Sequence, residues 1–204
     1  MTQAVERDEV TFREPIIEQK DVLAKIDFAE PAEWKPKEAV KAVAAEAGVT
    51  LAESYKVAKL QIIIEDDSVK TEHADARPKL NIDDQFNVQR YPFADKKKGG
   101  LGWMNRGKLF DLERAFGFDP VFVDKDGNEV EPYVTRTGNK VAPKMEGVAQ
   151  VINPDFKAAY FHDDMTVDPT NWIGKKIMID VGVEKSDQFG DKNVVNRYKK
   201  VATI

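Results

Sequence analysis

Tyr55-Lys56-Val57-Ala58-Lys59-Leu60-Gln61-Ile62-Ile63-Ile64 is the longest β-type run in the chain. Tyr55 and Val57 alternate with lysine and alanine, and Leu60, Ile62 and Ile64 alternate one residue out of step with them. Period-two spacing of large apolar residues marks a half-buried strand, and a one-residue slip in that spacing predicts a bulge between Val57 and Leu60. Downstream, Leu80, Ile82, Phe86 and Val88 give a second strand region, expected to fold as two strands and closed by Tyr91-Pro92-Phe93. Near the end, Ile177, Ile179, Val181 and Val183 alternate strictly, and Val194, Val195 and Tyr198 supply a closing strand after a turn over 187–191.

Between these strands, Leu109, Leu112 and Phe116 fall on one helical stripe, with Asn105 as its cap and Gly117 as its stop. The Pro- and Gly-containing section 119–171 holds a hairpin, Val121-Phe122-Val123 turning through Asp124–Asn128 to Val130. The resulting fold class is mainly β with α (α+β). The element order predicts a five-stranded OB-fold barrel with a helix between strands three and four and a long insertion before strand four, with an unrelated α+β domain as the competing arrangement. Upstream, Ile26, Phe28 and Trp34 are apolar anchors in a Pro-punctuated stretch, and Val40, Val43, Ala44 and Ala47 mark a short helix ended by Gly48. Residues 1–24 are expected to be a flexible acidic arm, 25–54 an N-terminal extension outside the sheet, and 55–204 the OB-fold domain.

The chain has 204 residues, 42 % of them hydrophobic, enough apolar surface for a core. Cysteine is absent, which excludes disulfides, thiolate metal sites and cysteine nucleophiles and fits a reducing cytoplasm. No stretch approaches the roughly 18 apolar residues of a membrane span. The formal charge is −5, and it is unevenly spread: the first 54 residues hold 7 basic and 12 acidic side chains, the remainder equal numbers of each.

Cations nevertheless cluster. Arg90, Lys96, Lys97, Lys98, Arg106 and Lys108 stand against Asp95 alone, interleaved with Tyr91, Phe93 and Trp103. Lysines along a backbone and aromatic faces for bases are what single-strand binding requires. The bland alternative makes Tyr91 and Phe93 core residues and the lysines a solvated loop. Arg197, Tyr198, Lys199 and Lys200 form a second cluster that reads equally well as a charged edge strand. Lys175 and Lys176 precede the alternating strand, and Arg136, Lys140 and Lys144 lie in the insertion, where they suit a flap over the groove.

Enzyme readings are poorer. His162-Asp163-Asp164 is the better of two histidine sites for a metal, and a polar loop explains it as well. Asp124-x-Asp126-Gly127-Asn128 places its glycine too early for a calcium loop. Glu65-Asp66-Asp67 and Asp83-Asp84 are paired carboxylates of the kind a two-metal nuclease uses, or solvated strand ends. No metal or cofactor is expected.

Four segments carry a resemblance: Ile26-Asp27-Phe28 with Trp34-Lys35-Pro36; Asn105-Arg106-Gly107-Lys108-Leu109-Phe110-Asp111-Leu112 with Phe116-Gly117; Trp172-Ile173-Gly174-Lys175-Lys176; and Val181-Gly182-Val183-Glu184 with Gly190-Asp191-Lys192-Asn193-Val194-Val195. Together they resemble a phage-encoded family of small single-stranded-DNA-binding-like OB-fold proteins. The resemblance implies non-catalytic, sequence-tolerant binding of single-stranded DNA in phage replication or recombination. It places the protein in the host bacterium's cytoplasm, with other replication or recombination proteins as further partners and homo-oligomerisation open. The insertion and the non-acidic ending Val201-Ala202-Thr203-Ile204 depart from the family pattern. A structural or protein-interaction module stands as the alternative, a metal-dependent nuclease as the third reading.

Overall fold

The computed structural model describes residues 18–64, 81–94, 97, 99–185 and 191–201. Among these residues, ten strands and four α-helices follow one another as β1 Gln19–Trp34, α1 Glu38–Glu46, β2 Tyr55–Ile64, β3 Asn81–Asn87, α2 Gly107–Ala115, β4 Val121–Val123, β5 Glu129–Val130, β6 Tyr133–Val134, β7 Lys140–Val141, β8 Ala149–Val151, α3 Pro154–Tyr160, α4 Pro169–Trp172, β9 Lys176–Glu184 and β10 Lys192–Lys199. A 3-10 turn, Gly102–Met104, precedes α2.

The main sheet has the order β10-β9-β1-β2-β3, with every neighbouring pair antiparallel. It does not close. No backbone ladder joins β3 to β10, so the expected OB-fold barrel is not formed. Side chains span the gap instead: the Tyr198 hydroxyl on β10 and the Lys108 ammonium on α2 both donate to the Asp84 carboxylate on β3. Helix α2 packs against both outer strands and buries Leu109 and Leu112 there.

Three strand expectations are corrected together. The second strand region makes one strand, β3 (Asn81–Asn87), rather than two; Leu80 lies outside the described residues. The fifth strand is β1, the sheet's central strand, drawn from the stretch expected to lie outside it. A boundary at residue 25 therefore falls inside β1; the arm over residues 1–17 lies outside the described residues. Pro31 is tolerated in a central strand because β9 pairs with β1 only over Gln19–Lys25. Beyond that point one edge of β1 has no ladder to interrupt.

The slip within β2 is not a bulge. Its pairing with β1 runs unbroken from Trp34↔Tyr55 to Phe28↔Gln61. The spacing changes because β2 serves two cores on opposite faces. Ala58, Leu60, Ile62 and Ile64 face the main core, whereas Tyr55 and Val57 join Ala44, Tyr91, Phe93 and Met104 in a second one.

The insertion also departs from a flap. Phe156, Tyr160, Phe161 and Trp172, supplied by α3, α4 and their connection, are buried in the main core. Trp172 is fully buried, with ring centroids 5.4 Å from Tyr160, 5.5 Å from Phe116, 5.7 Å from Phe86 and 5.7 Å from Phe161. Its indole N–H donates to the Tyr160 carbonyl at 2.8 Å. Buried Glu113 of α2 ties the insertion down by accepting the Asn153 N–H at 2.8 Å and the Gln150 amide at 3.4 Å. At the other end of β1, Asp21 adopts φ 56° in an irregular register; its N–H donates to Asp180 at 3.0 Å, which Lys199 also reaches at 2.6 Å.

Three outcomes follow from this packing. Trp172→Ala, which empties the junction of sheet and insertion, is expected to lower unfolding free energy by about 3–5 kcal/mol in urea titration. Tyr198→Phe deprives the largely buried Asp84 carboxylate of a donor and should lower stability by about 1–3 kcal/mol in the same assay. Burial raises the Glu113 pKa above the ordinary carboxylate value, against the lowering effect of the Asn153 and Gln150 hydrogen bonds. Folding therefore favours the protonated form: this contribution is greatest below the unfolded-state pKa and is lost as pH rises through the folded-state value. Glu113→Gln should flatten stability against pH over that window, measured by melting temperature.

Candidate functional site

In β1, Val22, Ala24 and Ile26 point inward at period two, which by itself would send Phe28 inward as well. The register against β2 shifts between Ile26 and Phe28, so Ala29 takes the inward position instead. Phe28 is turned out and is 46 % exposed. A one-residue bulge is a common means of re-aiming a side chain beside a site.

The everted ring stands on an ordered outer face. Two cross-strand rows run over β1, β2 and β3: Phe28, Gln61 and Asp83 in one, Glu30, Lys59 and Gln85 in the next. The β9–β10 ribbon faces them with Val183, Val194 and Asn196, enclosing an open groove of about 1050 Å³. Gly182 lets the exposed Asn196 side chain lie over that ribbon: a Cβ there would stand 2.2 Å from the Asn196 amide nitrogen and push the amide aside.

The groove pairs all of its lysines and keeps one carboxylate over. Its lining holds three lysines and four carboxylates. Lys59 pairs with Glu30 at 3.3 Å and Lys192 with Glu184 at 2.8 Å, while Lys108 is committed to Asp84. Asp83 accepts from the Gln61 amide at 3.4 Å, and no cation among the described residues pairs with it. This is not the cationic track that a nucleic-acid backbone needs.

The residues singled out in the sequence lie largely elsewhere. Tyr91 and Phe93 are 6 % and 2 % exposed, and Tyr91 is T-shaped against Trp34 and Tyr55 at 5.8 and 4.9 Å. Burial, then the neighbouring Tyr55, raises the pKa of the Tyr91 phenol, whose oxygen has no hydrogen-bond partner among the described residues. Tyr198 is buried in the main core, and its phenol is held well above its ordinary pKa range by burial and by Asp84. None of these three rings offers a face for base stacking. Trp103 belongs to the 3-10 turn, and its side chain lies outside the described residues, as do Lys96 and Lys98.

The cations are similarly dispersed. Arg106 packs over the Phe110 ring at 5.1 Å and donates to the Gln150 carbonyl at 3.4 Å, directed toward the insertion. Burial, with Arg90 nearby, lowers its pKa, and Glu113 opposes that effect. Lys175 lies over the Tyr160 ring at 5.5 Å, and Lys199 is held by Asp180 and Asp21. Arg90, Lys97, Lys176 and Arg197 are exposed. Of these residues, among those described, only Lys108 lines the groove.

For the metal readings, Asp83 and Asp84 are adjacent on one strand and point to opposite faces, so they do not converge on one ion. Asp124 instead accepts the Asp126 and Asn128 N–H groups of its own turn, each at 2.9 Å. Asp164 is engaged by Thr166 and Lys56, whose hydrogen bonds hold its carboxyl well below the ordinary range. Glu65, Asp66, Asp67 and His73 lie outside the described residues. Among the described residues no group of three metal-ligating side chains is brought together.

The sequence signal that marks the observed groove is faint. It consists of a phenylalanine two residues after the inward Ile26, in a strand whose bulge is set by pairing with β2. No helix among the described residues is long and apolar enough to cross a membrane. Comparison of the chain with protein-family models, curated proteins and solved structures finds no match among any of them. The open sheet removes the fold on which the single-stranded-DNA-binding resemblance rested, and with it the assignment to that family.

Proposed function

We propose that the protein is a non-catalytic interaction module whose groove receives an extended segment of a partner polypeptide. The observation that carries this reading is the everted Phe28, set beside lysines that the groove's own acids have already paired. A polypeptide brings an apolar side chain for Phe28, Val183 and Val194. Its main chain brings both donors and acceptors, which the amides of Gln61, Gln85 and Asn196 match because each offers both. A polyanion would instead have to displace Glu30, Glu184 and Asp84 from their lysines, at the expense of those ion pairs.

The test uses the full chain and a panel of labelled synthetic peptides of about ten residues, the reach of a long strand. Each peptide has one central leucine or phenylalanine in a polar sequence. Binding by a subset is expected in fluorescence anisotropy. Phe28→Ala should weaken those peptides about tenfold or more, as an exposed aromatic anchor does, with the melting temperature nearly unchanged. Wild-type affinity in Phe28→Ala, or displacement of the peptides by a single-stranded oligonucleotide, would overturn the reading.

A further inference from the structure

A second feature of the surface has the shape and charge of an occupant for this groove. Strands β6 and β7 form an isolated hairpin, Tyr133 opposite Val141 and Val134 opposite Lys140. Its turn is well made: the Thr135 N–H donates to the Asn139 carbonyl at 2.9 Å, and Gly138 takes φ +80° while donating to the Thr135 carbonyl. Consecutive strand residues point to opposite faces. Tyr133 is 62 % exposed and Val134 54 %, with Val141 and Met145 also exposed, so the hairpin is apolar on both sides. A flat partner would cover one side only; a cleft covers both. Two-stranded hairpins are marginal in water unless packed against something more. From Pro132 to Met145 the segment carries Arg136, Lys140 and Lys144 and no acid; Lys140 is paired with Asp119 at 2.6 Å, which leaves Arg136 at the tip and Lys144 as the cations it presents.

We infer that this hairpin docks in the groove of a second copy of the chain, giving head-to-tail self-association. The inference rests on the groove reading above and names its partner. The groove is open and lined by more carboxylates than lysines, with Phe28 as its apolar anchor. Its Asp83 has no cationic partner among the described residues, and Arg136 at the hairpin tip supplies one. No residue of the insertion lines the groove, so each copy presents two different surfaces. Such an interface is heterologous, and it propagates as a ring or an open chain.

Sedimentation velocity on the full chain over a concentration series tests this. The wild type is expected to gain mass with concentration. A hairpin variant, Tyr133→Ser with Val134→Ser, and a groove variant, Phe28→Ala, should each lose association by about tenfold or more. Mixed together they should form one-to-one heterodimers and nothing larger, because only one intact hairpin–groove pair remains. Asp83→Lys and Arg136→Glu should each weaken association alone and restore it when combined in one chain. A wild type that stays monomeric throughout, or a mixture that stays monomeric, overturns the inference. If the panel peptides still bind in that case, the groove reading stands and only the self-association fails. If neither peptides nor copies bind, both fall.

Discussion

Trp172 lies at the centre of the packing between the sheet and the insertion. Its ring lies among Phe86 from the sheet, Phe116 from the end of α2, and Phe156, Tyr160 and Phe161 from the insertion. A curled five-stranded sheet exposes an apolar interior unless its edges meet or something fills the opening. Here the aromatic wall and α2 fill it. Burial of apolar area can then be completed without a ladder between β3 and β10, and the sheet stays open.

The gap between the outer strands is bridged by one acid. Asp84 is largely withdrawn from solvent and takes a phenol from β10 and an ammonium from α2. Backbone pairing would have satisfied a row of main-chain groups, whereas this arrangement links the two edges at a single point. The same acid also removes Lys108 from the supply of groove cations, so a contact that braces the fold sets the electrostatics of the surface beside it.

That surface depends equally on a local irregularity. The shift in β1 after Ile26 exchanges Phe28 for Ala29 in the core, trading a large ring for a methyl where the strand crosses the packed interior. The ring turned outward becomes the apolar element of a face otherwise made of amides and paired charges. Structure and recognition surface are therefore set by the same one-residue displacement.

Alternation at Tyr55–Ile64 and Ile177–Val183, and the stripe Leu109, Leu112, Phe116, determined β2, β9 and α2 in the sequence itself, because short-range periodicity reports which face of an element is buried; β10 was marked only by Val194, Val195 and Tyr198 following a turn. Residues Gln19–Trp34 were not legible as a central strand, since small alanines occupy inward positions, Pro31 interrupts the pattern and the bulge resets its phase. The slip within β2 was visible, but its cause was not: a strand serving two cores and a strand with a bulge have the same spacing. Cations clustered in sequence were dispersed in space, because Arg106, Lys108 and Lys199 each found partners on other elements. Whether the sheet closed, which ring was turned outward and which lysines were neutralised were decided only by tertiary contacts. Those outcomes depend on which residues meet across long stretches of chain, as Asp84 meets Tyr198, and periodicity along one segment carries no information about such meetings.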